Sequence, residues 1–145
     1  MFSALLCLVV AISDGDTLTA RCGEPGAYEQ VKVRIAAIDA PEKRQPFGQR
    51  SRQHLAELCF QQQATITPRS MDRYGRTVAE VGCRGQDAGT EQVRAGLAWV
   101  YTKYAVGRTD LEKLQATAKA EGHGLWSQEA VAPWEFRRLP KRLAP

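Results

Sequence analysis

Apolar positions along the chain gather into short runs, and the period of each run names an element. Residues 4–12 are apolar without interruption, which reads as a buried strand; extended to residues 2–13 it forms the first strand. Residues 17–22 form the second. Asp14-Gly15-Asp16 between them is hairpin chemistry, since Asp-Gly tolerates the left-handed backbone of a tight turn. In residues 31–40, Val31, Val33 and Ile35 alternate with Lys32 and Arg34, the period of a half-buried strand. Pro41 has no backbone N–H and pushes Ala40 towards extended geometry, so this third strand is expected to end there.

Residues 49–60 place Leu55, Leu58 and Cys59 on one side of a helix. Residues 64–68 read as a fourth strand and residues 77–83 as a fifth, joined through the turn Asp72-Arg73-Tyr74-Gly75-Arg76. Beyond them a short helix covers residues 88–96, closed by Gly96. An aromatic stretch follows with Trp99, Tyr101 and Tyr104. A last helix is expected to open with a capping box, Thr109 with Glu112, and to run to Glu121. Five strands and about three helices suggest an α+β fold, a five-stranded Greek-key barrel of the OB type. One domain over residues 2–127 is expected, followed by a basic, proline-containing tail over residues 128–145, loosely held. The three tryptophans are read as anchors in the core, and His54 and His123 as incidental.

Composition adds little to this picture. At 145 residues, with 43% apolar and 25% charged positions, the chain is an ordinary globular domain with room for its own core. A net charge of +4 and a pI near 9.0 suit a polyanionic partner. The apolar run at residues 4–12 is far short of the ~20 residues a membrane helix needs. It also lacks the charged start and cleavage site of an export signal, so any such signal is expected outside this sequence. No membrane association and no obligate protein partner is implied, and a monomer is expected.

Cys7, Cys22, Cys59 and Cys83 form no CxxC pair and meet no histidine at zinc spacing. Their even number fits two disulfides and an exported protein, secreted or periplasmic; four buried thiols are the other reading. A hairpin centred on Asp14 and Gly15 pairs residues whose numbers sum to about 29. Cys7 and Cys22 meet that sum, which predicts one disulfide between them and leaves Cys59 with Cys83.

The third strand carries the most suggestive chemistry. Its end leaves Asp39 and Glu42 close to the face that carries Arg34. A guanidinium beside two carboxylates at a sheet rim is either a surface ion pair of small value or a place where a metal and a phosphate meet.

Taken in order, Asp14-Gly15-Asp16-Thr17, Arg34 through Asp39-Ala40-Pro41-Glu42, Asp72-Arg73-Tyr74-Gly75-Arg76, Val93-Arg94-Ala95-Gly96-Leu97-Ala98 and Gly124-Leu125-Trp126 resemble the thermonuclease, or staphylococcal nuclease-like, family. The four cysteines look like its bacterial exported branch. The resemblance implies a metal-dependent endonuclease that hydrolyses DNA and RNA with little sequence preference and leaves 3′-phosphates. It implies calcium held by Asp16, Asp39 and the backbone carbonyl of Ala40, with magnesium and manganese also compatible. It implies Arg34 and Arg76 as phosphate-clamping arginines and Glu42 as the group that activates water. The family's reference member has threonine at the position of Ala40, and its loop after Glu42 is longer.

Such residue types suit phosphodiester cleavage. Two guanidiniums match the equatorial oxygens of the transition state with paired donors, and calcium accepts carboxylates and carbonyls in irregular geometry. Arg73 reads as a phosphate-backbone contact or a solvated turn cation. Tyr74 and Tyr104 read as nucleotide-packing rings or as core residues. Asp14 reads as a carboxylate backing the metal ligands or as a turn residue. The competing function is a non-catalytic OB-type module that binds nucleic acid without cutting it.

Overall fold

The structure, a computed structural model, describes residues 3–139; Phe2 of the expected first strand and residues 140–145 of the expected tail lie outside them. Strands β1 (Leu5–Asp14), β2 (Thr17–Cys22) and β3 (Glu29–Ile35) form a meander. Strand β4 (Ile38–Asp39) then precedes helix α1 (Gly48–Cys59), and β5 (Gln63–Met71) and β6 (Thr77–Cys83) form a second hairpin. The chain finishes with β7 (Gln86–Asp87), α2 (Ala88–Arg94), β8 (Trp99–Val100), α3 (Thr109–Glu121) and α4 (Pro133–Phe136). The sheet order β3-β2-β1-β5-β6 closes through a parallel β3–β6 pairing, giving the five-stranded barrel expected from the strand count. Inside it Val9, Leu18, Val33, Leu55, Ile66 and Val81 are fully buried. Among the described residues no helix is long and apolar enough to cross a membrane.

Both disulfides form as expected, Cys7–Cys22 and Cys59–Cys83. The route to the first differs from the expected one. The two-residue turn is Gly15-Asp16, because Asp14 pairs with Thr17. Register shifts between Val9 and Ala11 and between Ile12 and Asp14 absorb one residue each, so the ladder reaches the Cys7–Cys22 register by way of two bulges. Each bulge bends β1 and increases its twist, which helps this ten-residue strand wrap a barrel.

Other boundaries move for local reasons. The expected third strand breaks after Ile35, where Ala37 takes a left-handed φ of 70° and redirects Ile38 and Asp39 to pair with Val100 and Trp99. The fourth runs on past Pro68, because a register shift between Pro68 and Ser70 accommodates the missing N–H. The capping box at Thr109 does not form. Arg108 is the N-cap residue of α3, and its guanidinium donates instead to both carboxylate oxygens of Asp110.

Residues 128–139 are held, unlike the loose tail expected. Ala132 is buried with Trp99 and Leu125 in a second small core that also takes in Phe47, Trp126 and Trp134. Trp134 stacks on Tyr101 at 5.5 Å, and Trp99 meets Trp126 edge-on at 5.0 Å. The tryptophans thus anchor the segment, as their size and aromaticity suggest.

Candidate active site

The β1–β2 turn delivers the first carboxylate. Gly15 passes so close to α1 that a Cβ there would sit 1.8 Å from Ser51 Oγ and 2.9 Å from the Ala40 Cβ; only glycine fits. Beneath the turn, the buried Gln92 amide donates to the Gly15 carbonyl at 2.7 Å and to the Ser51 carbonyl at 2.9 Å. Its oxygen meets His54 Nδ1 at 2.6 Å, so His54 is part of the support and not incidental. Above this floor Asp16 is buried. Its Oδ2 accepts from Ala40 N–H at 2.8 Å and its Oδ1 from the Thr17 hydroxyl at 2.9 Å.

Strand β3 delivers Arg34 opposite Thr17. Its Nη1 donates to the Ile35 carbonyl at 2.6 Å, and its Nη2 lies 3.5 Å from Asp16 Oδ2 and 3.5 Å from Asp39 Oδ1. The turn at Ala37 carries the chain to Asp39, only 1% exposed. Glu42 follows in a loop fixed by Gln45, whose Oε1 accepts from Glu42 N–H at 2.8 Å. The Gln45 Nε2 donates to the Val131 carbonyl at 2.6 Å, tying that loop to the C-terminal segment.

From that segment comes a residue that the sequence did not mark as functional. Arg137 donates through Nη2 to Asp39 Oδ2 at 2.8 Å and through Nη1 to Glu42 Oε1 at 2.5 Å, with Nη1 3.4 Å from Asp39 Oδ1. Its contacts lie 95 and 98 residues away in sequence, and no local pattern announces them. The surplus of basic residues in the tail was the only available signal.

The electrostatics follow from burial and company. Burial pushes the Asp14 carboxyl up to about 7, helped by its bond to Asp16 and by that neighbour's charge. Burial acts on Asp16 too, but the Arg34 guanidinium, the bond to Asp14, the Ala40 N–H and the Thr17 hydroxyl together hold it below the usual range. Asp39 stays raised: burial and the charge of Asp16 outweigh the two guanidiniums.

Arg76 lies apart from this cluster. Its Nε donates to Asp72 Oδ2 at 2.7 Å, and its guanidinium lies 5.4 Å from the centre of the exposed Tyr74 ring. Arg34 pairs with Val78 in the parallel ladder. Arg76 immediately precedes β6, two residues before Val78. Arg73 also contacts Tyr74, donating to its hydroxyl at 2.8 Å. Tyr104 is 62% exposed and meets Tyr101 edge-on at 5.1 Å. Asp14, Glu42, Lys43, Arg44 and Arg137 help line an open cleft of about 510 Å³.

Among the described residues no group of three or more acidic, histidine or cysteine side chains makes a ready metal cage. Asp16 and Asp39 nevertheless fit a hard divalent cation. Both are oxygen donors, they share one cationic nitrogen at 3.5 Å, and Asp39 already holds a second positive group.

A sequence profile described as "Staphylococcal nuclease homologue" matches residues 32–128. An uncharacterized endonuclease of Haemophilus influenzae is 43% identical over 136 residues, covering 93% of this chain and 74% of the relative. A micrococcal nuclease of Shigella flexneri is 38% identical over 145 residues, covering 92% and 80%. An uncharacterized endonuclease of Escherichia coli O157:H7 is 38% identical over 133 residues, covering 89% and 82%. With the barrel, the ordered motifs and this match over two-thirds of its length, the chain belongs to the staphylococcal nuclease family.

Proposed function

We propose that the protein is a metal-dependent endonuclease that hydrolyses phosphodiester bonds in DNA and RNA with little sequence preference and leaves 3′-phosphates. The observation that carries this reading is the convergence of Asp16 and Asp39 on Arg34, each at 3.5 Å, with Asp39 bonded to Arg137, which lines a cleft together with Glu42. Relatives named nuclease and endonuclease support the reaction class.

In this reading Asp16, Asp39 and the Ala40 carbonyl hold calcium, with magnesium or manganese as alternatives. The ion supplies Lewis acidity and charge for the phosphate when bound. Arg34 and Arg76 take the phosphate from two directions, as forked donors suit its oxygens. Arg76 exchanges Asp72 for substrate in doing so. Glu42 holds the attacking water and accepts its proton. Arg73, Tyr74 and Tyr104, all exposed, serve in this reading as contacts for the flanking nucleotides. Asp14 backs Asp16 through the turn. Two disulfides suit a secreted or periplasmic site of action, as a monomer.

The test is purified protein on denatured DNA and on RNA, with calcium, magnesium or chelator. Cleavage should require metal and fall roughly 10²–10³-fold in Arg76→Ala and Glu42→Gln, the scale for losing one transition-state donor. Fragments should resist polymerase extension until treated with a 3′-phosphatase. Salt-sensitive binding without any product would overturn the reading in favour of a binding module.

A further inference from the structure

Asp39 is nearly inaccessible, yet a basic side chain from the far end of the chain reaches it. Arg137 covers both of its carboxylate oxygens and spans to Glu42. That placement is built into the fold. Gln45 clamps the Val131 carbonyl, Phe136 is 5% exposed, and Trp134 stacks on Tyr101. The segment therefore presents Arg137 to the acidic cluster from a fixed base.

We propose that Arg137 is an internal competitor for the divalent cation: its guanidinium neutralises Asp39 and Glu42 until the metal binds, and must leave them when it does. The inference rests on the metal-site reading above and concerns only this chain's own residues. Two observations carry it. A guanidinium and a divalent ion both need the Asp39 oxygens, and like charges held this close inside a shielded site repel strongly. The Arg137 side chain is 46% exposed, so its head can swing into the cleft on its flexible stem while α4 stays packed. Among the described residues Asp16 is met instead by fixed donors, the Ala40 N–H and the Thr17 hydroxyl, and by Arg34, which is tied to the Ile35 carbonyl.

The expected coupling is of the size usual when one bound group changes the affinity for another, roughly 5- to 150-fold. Calcium titrated calorimetrically into the full chain, without nucleic acid, should bind Arg137→Gln about ten-fold more tightly than the wild type. Arg137→Lys, which keeps the charge and loses the fork, should fall between them. Thermal melts supply the second readout. Arg137→Gln should melt lower than the wild type in chelator, where Asp39 loses its partner, and the gap should close in saturating calcium.

Equal or weaker calcium affinity in Arg137→Gln overturns the proposal, as does a melting gap that calcium leaves unchanged. Absence of calcium binding by both proteins overturns it together with the metal assignment. Failure of the nuclease reading shows separately, as intact DNA with every metal while calcium still binds.

Discussion

Asp14 offers a direct measurement of what it takes to assemble this cluster. Its carboxyl is raised from 3.8 to about 7, first by burial and then by the neighbouring Asp16. A carboxyl raised on folding binds its proton more tightly in the folded chain than in the unfolded one. Below pH 3.8 both states are protonated and the group is neutral in the balance. Between there and pH 7 the unfolded chain gives up its proton first, so folding is progressively disfavoured, and the full penalty stands above pH 7. At about 1.4 kcal/mol per unit, the rise corresponds to at most about 4 kcal/mol. Asp16 moves the opposite way, which offsets part of that.

Asp14→Asn is the clean perturbation. The amide oxygen keeps the bond that Asp14 Oδ1 accepts from Asp16 N–H at 3.1 Å, and the amide N–H replaces the carboxyl proton towards Asp16. Urea unfolding in chelator should show the two proteins equally stable near pH 4. The variant should then gain steadily, levelling above pH 7 at no more than about 4 kcal/mol. A stability difference that stays flat from pH 4 to 8, or a variant that is weaker at pH 8, would refute the reasoning.

Gln92→Leu should cost about 2–4 kcal/mol in urea unfolding, because it strands the buried carbonyls of Gly15 and Ser51 that Gln92 satisfies. Replacing Cys59 and Cys83 together by alanine should lower stability by about 3 kcal/mol, the chain-entropy value for a crosslink across 24 residues; an unchanged denaturation midpoint would count against it.

Much of the barrel was legible because its signals are local. Alternation in Val31 to Ile35, the breaker-rich loops and the Asp-Gly turn act over a few residues, and the structure follows them. The Cys7–Cys22 pair was reached through a turn placed one residue early, and two bulges made the register agree. Such bulges leave no mark in the sequence, since Val10 and Ser13 are ordinary strand residues. The left-handed Ala37 is equally silent; alanine carries no signal for a positive φ. In the site, the motif residues Asp16, Arg34, Asp39 and Glu42 stood out by type and order. Their supports did not. Gln92 reaches Gly15 across 77 residues and Gln45 reaches Val131 across 86, and only the closed barrel brings those pairs together.

The two buried aspartates are stabilised in different ways, and the difference bears on how the site operates. Asp16 is met by donors that cannot leave: a backbone N–H and the hydroxyl of its own neighbour. The Arg34 guanidinium alongside, itself tied to the Ile35 carbonyl, and these fixed donors together hold its carboxyl low despite its burial. Asp39 is met by two side-chain guanidiniums, and its carboxyl remains high. One of those, Arg34, is 15% exposed and tied to the Ile35 carbonyl; the other stands half in solvent. A carboxylate stabilised by fixed donors is a scaffold, whereas one neutralised by a side chain that can swing away can exchange its counter-ion. On the proposed metal reading, Asp39 is therefore the position where a second cation would enter with least disturbance to the barrel, and the electrostatic cost of burying it would favour that entry.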